Sequence, residues 1–198
     1  MLKSKNLKTQ RLVMSSNSAL LVVDMQNDFM PWGALPVPKS SEIIPLINEA
    51  LISPRFALKI ASKDAHPKDH VSFENNGVSG WPVHCVENSQ GFEFPSLLKK
   101  EKFDFVIRKG RLKESDSYSA FYNAPGQQTE LLDRLNEKQI SDLFICGIAL
   151  EYCVKETVLD ALRNKFNVFV LKDLIRPIFE EETAKIHKKL ESKGAVIL

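Results

Sequence analysis

From Ala19 the chain reads ALLVV without a polar position and then turns polar at Asp24. A short run that is apolar throughout, rich in valine, is the pattern of a strand buried on both faces; alternation would have marked one face as solvated. Comparable runs follow at Phe56–Ser62, at Phe103 or Asp104 to Lys109, at Asp142–Ile148, at Asn167–Asp173 and at Gly194–Leu198, which makes six expected strands. Between them the apolar positions recur with helical spacing in SEIIPLINEAL from Ser41, QQTELLDRLNEKQ from Gln127, EYCVKETVLDALRNK from Glu151 and EEETAKIHKKLESKG from Glu180. In the third, Val154, Val158, Ala161 and Leu162 form one stripe while Lys155, Glu156 and Arg163 face away. Strand alternating with helix indicates an α/β domain built on a mainly parallel sheet.

One segment interrupts the alternation. Residues 63–94 are long and irregular and hold three of the four histidines, and an insert of that length in a compact domain is usually functional. The 198 residues suffice for one core, so we expect a single domain over 18–198, preceded by a flexible extension over 1–17. That extension carries Lys3, Lys5, Lys8 and Arg11 with no acid before Asp24, which leaves organelle targeting open beside a frayed tail.

Charge narrows the function classes. The 27 basic and 25 acidic residues are interspersed, so no basic face asks for nucleic acid, and no apolar run approaches the roughly 20 residues needed to span a bilayer. Cys85, Cys146 and Cys153 are too few and too irregular for a disulfide framework, which fits a reducing, cytoplasmic setting.

In an open parallel sheet, ligands bind beyond the carboxyl ends of the strands. The residues there are reactive: Asp24 after the first strand, Asp64 after the second, Lys109 at the end of the third, and Cys153 after GIALEY beyond the fourth. Taken singly each has a plain role as a cap, a solvated charge or core filling, and Cys146, inside a strand, reads as a small hydrophobe. Cys153 differs, because a thiol in a first helical turn near a cation can have a pKa of roughly 3.5–7.5 in place of about 8.5. An acid, a cation and a thiol converging at one sheet edge are the parts for covalent acyl transfer. Asp64 and His66, two apart, and His84 from the other end of the insert would suit a divalent transition metal, against the alternative that they are hydrogen-bonding loop residues. His70 reads as loop support or as a group behind the ligands, Cys85 as packing and His187 as solvated. Phe29 and Trp81 flank these polar groups and would serve as core packing or as walls for a flat substrate.

The motifs VVDMQNDF, KDAHPKDHVSF, WPVHCVENSQGFEF, RKGRLKESDSYSAF and CGIALEYCVKETVLDAL, in register from about Ala19 to Ile178, resemble those of the nicotinamidase (pyrazinamidase) group of the isochorismatase-like cysteine hydrolase superfamily. The resemblance implies a three-layer α/β/α fold with a doubly wound, six-stranded, mainly parallel sheet, and hydrolysis of nicotinamide to nicotinate and ammonia in NAD salvage. It implies Cys153 as nucleophile, Asp24 as proton carrier and Lys109 as the third catalytic member. It implies a metal on Asp64, His66 and His84, zinc first, with iron or manganese as alternatives. It also implies a cis peptide at Ile148-Ala149, an oxyanion hole from the backbone N–H groups of Ala149 and Cys153, and substrate contacts from Phe29, Trp81, Ile148 and Tyr152. The partner expected is this small molecule, with homo-oligomerisation left open. Trp32 stands where the group commonly has glycine, Leu150-Glu151 replaces a frequent Thr-Asp, and the spacing in DAHPKDH is shorter than in relatives that place a further histidine on the metal near His70. Two rivals remain: an amidase for carbamoyl or ureido compounds, whose relatives generally lack the D-x-H and W-P-x-H-C motifs, and a non-catalytic binding relative.

Overall fold

In the computed structural model, which describes residues 17–74 and 80–198, the apolar run after Asn17 lies at the middle of the sheet as β1 (Ser18–Val23), buried at every position. Leu20 and Leu21 point to opposite faces and neither is exposed, and each such burial contributes about 1.5–3 kcal/mol. The other long strands are β2 (Leu58–Asp64), β3 (Phe105–Lys109), β6 (Asp142–Ile148), β7 (Asn167–Arg176) and β8 (Val196–Ile197). They line up in the order β3-β2-β1-β6-β7-β8, every neighbour pair parallel. This is the doubly wound arrangement, with its reversal of strand order between β1 and β6.

The helices are α1 (Ile44–Ile52), α2 (Leu131–Glu137), α3 (Lys155–Arg163) and α4 (Thr183–Ser192). Right-handed crossovers running outward in both directions from β1 and β6 put α1 on one face of the sheet and α3 and α4 on the other. Each helix buries the stripe its spacing announced: Ile44, Ile47 and Leu51 in α1, Val158 and Ala161 in α3, Ile186 and Leu190 in α4. No helix among the described residues is long and apolar enough to cross a membrane.

Four expectations need correction or a boundary. The pattern from Gln127 does not begin as helix: β4 (Tyr122–Ala124) and β5 (Gln127–Gln128) form a small antiparallel hairpin, because Pro125-Gly126 makes a turn, and α2 starts only at Leu131. The pattern from Glu151 opens as a π-type turn, Leu150–Val154, before α3. His187, expected in solvent, is half-buried with Nε2 shielded, because α4 lays that face toward Lys172 of β7. The expected extension over 1–17 lies outside the described residues up to position 16.

The described residues of the insert hold no long element beyond the end of β2 but are tied to one another: His66 and Val86, and Phe73 and Trp81, pair as isolated bridges, and the Phe73 ring is fully buried. Asp28, after β1, accepts the Cys85 N–H at 2.7 Å, which brings the far end of the insert to the sheet edge.

Candidate active site

The β2/β3 register sets Asp64 beside Lys109, and the β1/β6 register sets Val23 beside Gly147, so four strand ends meet at the point where the order reverses. Gly147 has φ +115°, and a Cβ there would lie 2.1 Å from the Val23 carbonyl, so only glycine lets β6 close on β1 before the chain turns. The next peptide, Ile148-Ala149, is cis, as the motif resemblance implies.

Asp24 leaves β1 in a left-handed conformation, φ +52°, with its N–H donated to the Ser62 carbonyl at 3.2 Å. A non-glycine residue in that region is held by its surroundings. Here the holding contact is Ser62, whose hydroxyl donates to Asp24 Oδ1 at 2.7 Å. Asp24 Oδ2 lies 3.0 Å from Lys109 Nζ, off the direction of a hydrogen bond, and has no hydrogen-bond partner among the described residues of the protein framework. Lys109 also donates to Asp64 Oδ1, to the Ser117 carbonyl at 3.3 Å and to Cys153 Sγ at 3.4 Å. The ammonium thus ties an acid from β1, an acid from β2 and the thiol of the π-type turn into one cluster. One oxygen of each acid and the sulfur lie within 4.8 Å of one another.

Burial decides the proton affinities. It pushes Asp24 above the usual carboxylate range against the pull of Lys109, with Asp64 adding to the rise. It pushes Lys109 the other way, but Asp24, Asp64 and Cys153 together lift the ammonium well above its ordinary value. Burial raises the Cys153 thiol well above normal, and Lys109 offsets only part of this. The expectation of a thiol depressed by a first-turn position and a nearby cation is therefore overturned: Cys153 is 6% exposed, and desolvation outweighs the cation. A thiol held protonated needs a base, and the oxygen facing it belongs to Asp24.

Asp64, His66 and His84 form a second cluster with one donor atom each within 4.8 Å of the others. His66 Nδ1 is 2.8 Å from the Gly110 carbonyl and His84 Nδ1 is 2.7 Å from the Pro82 carbonyl. Backbone carbonyls only accept, so each Nδ1 carries a proton and Nε2 is the ring nitrogen turned to the other candidate donors, the arrangement of metal-bound imidazoles. Burial lowers the His66 pKa to about 4, which keeps the ring neutral. This donor set fits a divalent transition metal. His70 does not join it: Nδ1 accepts from the Ser72 N–H at 3.2 Å, Nε2 lies 3.1 Å from the Ser115 carbonyl, and the ring stacks on His66 at 4.0 Å. With His66 and Asp116, His70 forms a further group whose donor atoms lie within 4.8 Å of one another.

Phe29, Trp81, Ile148 and Tyr152 line the cavity that opens onto Cys153, Asp64, His66 and His84. Trp81 meets Tyr152 edge-on at 5.4 Å, and Phe29 tilts against His84 at 5.6 Å. Trp32 is 61% exposed and takes no part; Leu35 and Val37, further along the same loop, supply its wall instead.

Sequence reasoning missed four neighbours. Gln26 Nε2 donates to the Asp64 carbonyl at 2.8 Å while Oε1 accepts the Asp64 N–H at 2.8 Å, so one side chain fixes the backbone of a candidate ligand. Gly110, φ +64°, would bring a Cβ within 2.7 Å of the His66 ring. Asp116 and Tyr118 enter the cavity from the loop after β3, and the Trp81 indole donates to the Tyr118 hydroxyl at 3.4 Å. All four sit inside motifs already singled out, but side-chain direction in a loop has no periodic signal.

Comparison with known proteins agrees with this geometry. The family model described as the isochorismatase domain matches residues 18–198. Nicotinamidase from Escherichia coli is 38% identical over 89% of this chain and 91% of its own. PnC1 from L. infantum, solved with nicotinate, superposes with a TM-score of 0.90 at 35% identity, covering 93% of this chain and 94% of that one. Pyrazinamidase from Pyrococcus horikoshii, solved with zinc, gives 0.83 at 39% identity, covering 92% and 98%. A fold wound from β1 and β6 and a model match across the whole sheet lead to one conclusion: the chain belongs to the isochorismatase family.

Proposed function

We propose that this protein is a metal-dependent cysteine amidohydrolase that converts nicotinamide to nicotinate and ammonia, and pyrazinamide in the same way, through a thioester on Cys153. The observation that carries the reading is the convergence of Cys153, the Asp24–Lys109 pair and the Asp64, His66, His84 donor set on one cavity walled by aromatic rings. The nicotinamidases and pyrazinamidase among its relatives support a ring-bearing amide as substrate, and zinc in one of them supports zinc as the metal. In this reading 18–198 form one hydrolase domain, and 63–94 are its metal-binding insert.

Asp64, His66 and His84 would hold the divalent ion, which would supply Lewis-acid chemistry to the cavity when bound. Phe29 and Trp81, with Ile148 and Tyr152, hold the ring flat so that the amide carbon meets Cys153 Sγ. Asp24 takes the thiol proton, the sulfur bonds to the carbonyl carbon, and the N–H groups of Ala149 and Cys153 receive the oxyanion; donors so placed are worth about 2.7–4 kcal/mol each. Asp24 returns the proton to the departing nitrogen, the C–N bond breaks and ammonia leaves. Water, deprotonated by Asp24, then cleaves the thioester to release nicotinate and restore the thiol. Lys109 keeps the charge of the cluster compensated as the proton moves.

Ammonia release from nicotinamide by the purified protein tests this directly, before and after chelation and after separate additions of zinc, iron or manganese. Loss on chelation and recovery with one ion are expected, seen as a raised KM and a lowered kcat through misplaced substrate. Metal-replete protein that released no ammonia from nicotinamide would overturn the reading. Gly110→Ala tests the ligand assignment separately. Its Cβ must displace the His66 ring, so zinc affinity in a chelator competition should fall about 10- to 100-fold; unchanged affinity would remove His66 from the ligand set.

A further inference from the structure

Glu151 stands two residues before Cys153 and is 8% exposed. Its carboxylate accepts two backbone N–H groups, Ile178 to Oε2 at 3.0 Å and Phe179 to Oε1 at 2.7 Å. Ile178 lines the same cavity as Ala149, Tyr152 and Cys153. The ladder between β6 and β7 ends at the Ile148–Arg176 pair, so beyond Arg176 the chain has left the sheet. Pro177 is buried and Ile178 packs against the core, while Pro177 and Glu180, with Leu150, line a second cavity that opens to solvent. Beyond the sheet ladder, the wall of the substrate cavity at Ile178 is set by this packing together with two amide hydrogen bonds to a buried carboxylate.

We propose that Glu151 is a positioning residue that sets how closely the Ile178 wall approaches the substrate ring, and so selects against ring-substituted amides. The inference rests on the reading of the site as an amidase for a pyridine or pyrazine carboxamide. An ionised acceptor holds amides more tightly than a neutral one, and both oxygens are engaged. Glu151→Gln keeps the size but turns an NH₂ donor toward an N–H, so one of the two bonds is lost. Glu151→Asp keeps the charge and withdraws it by one methylene, so the wall is held but shifted.

The test uses zinc-loaded full-length protein, wild type, E151Q and E151D, with nicotinamide and its 5- and 6-methyl derivatives as substrates. In E151Q the KM for nicotinamide should rise about tenfold with kcat changed far less. The preference for nicotinamide over the methylated amides should fall in the same variant, and E151D should be intermediate in both. Hydrogen exchange supplies the second readout: the Ile178 and Phe179 amides should exchange faster in E151Q, with the rest of the sheet unchanged. Unchanged exchange at those two amides overturns the clamp whatever the substrate. Faster exchange with an unchanged preference, or with only the apparent kcat falling in step with the folded fraction while KM stays unchanged, overturns its role in selection. Wild-type protein that releases no ammonia from nicotinamide overturns the amidase reading, while the exchange result still decides whether Glu151 holds the wall.

Discussion

Cys153→Ala should abolish ammonia release from nicotinamide, a fall in kcat of about ten-thousandfold or more, while zinc content stays at the wild-type level. The two halves of this result come from two clusters that share Asp64 but not the thiol, which is absent from the candidate metal donor set. Cys153 Sγ touches Lys109 at 3.4 Å and faces Asp24, whereas the candidate metal donors are Asp64, His66 and His84. Removing one sulfur from a buried site leaves the imidazole lone pairs and the Gly110 and Pro82 contacts that fix them. Nothing else in the cluster can replace the nucleophile: the neighbouring groups are a carboxylate committed to proton transfer and an ammonium that two acids hold protonated. Zinc by elemental analysis and ammonia by a coupled assay check the two halves. Retention of activity within a hundredfold of wild type would eliminate the thioester route.

Much of this architecture is written in local pattern. The central strands β1, β2 and β6 are legible because they are buried almost throughout and therefore apolar without alternation, while β3, β7 and β8 toward the edges keep exposed positions among short apolar runs; the residues that end the first three strands, Asp24, Asp64 and Lys109, mark the candidate site edge once a parallel sheet is assumed. What local pattern omits is long-range. Gln26 braces Asp64 across 38 positions of sequence, and Glu151 reaches 27 and 28 positions to Ile178 and Phe179; neither contact leaves a trace in spacing. The direction of the Cys153 shift was misread for a related reason. A cation near the thiol is inferable from strand ends, but complete enclosure of the cluster is a property of the assembled cavity, and enclosure dominates. The hairpin of β4 and β5 escaped because two short pieces around Pro125-Gly126 sit inside what reads as the approach to a helix.

Lys109→Met should be the most disruptive single substitution in the site. The lysine side chain is fully enclosed and its ammonium is 3.0 Å from Asp24 and in contact with Asp64, so methionine fills the space but leaves two buried carboxylates facing each other. Breaking a buried pair in this way costs about 3–5 kcal/mol. At about 2–4 °C per kcal/mol for a chain of this size, Tm should fall by roughly 6–20 °C. Turnover should vanish as well, because without the ammonium Asp24 is driven to hold a proton and can no longer accept one from Cys153. Lys109→Arg should not rescue it, since a planar guanidinium needs room that a fully buried ammonium with four partners does not leave. The double variant Asp24→Asn with Lys109→Met separates the two effects. Neutralising Asp24 removes one of the two uncompensated charges and their mutual repulsion, so part of the lost Tm should return, yet activity should stay absent because the proton carrier is gone. Calorimetry and ammonia release on the single and double variants decide it: a Lys109→Met protein as stable as wild type would mean that the cluster tolerates two unpaired acids, and an active one would mean that Asp24 needs no cation beside it.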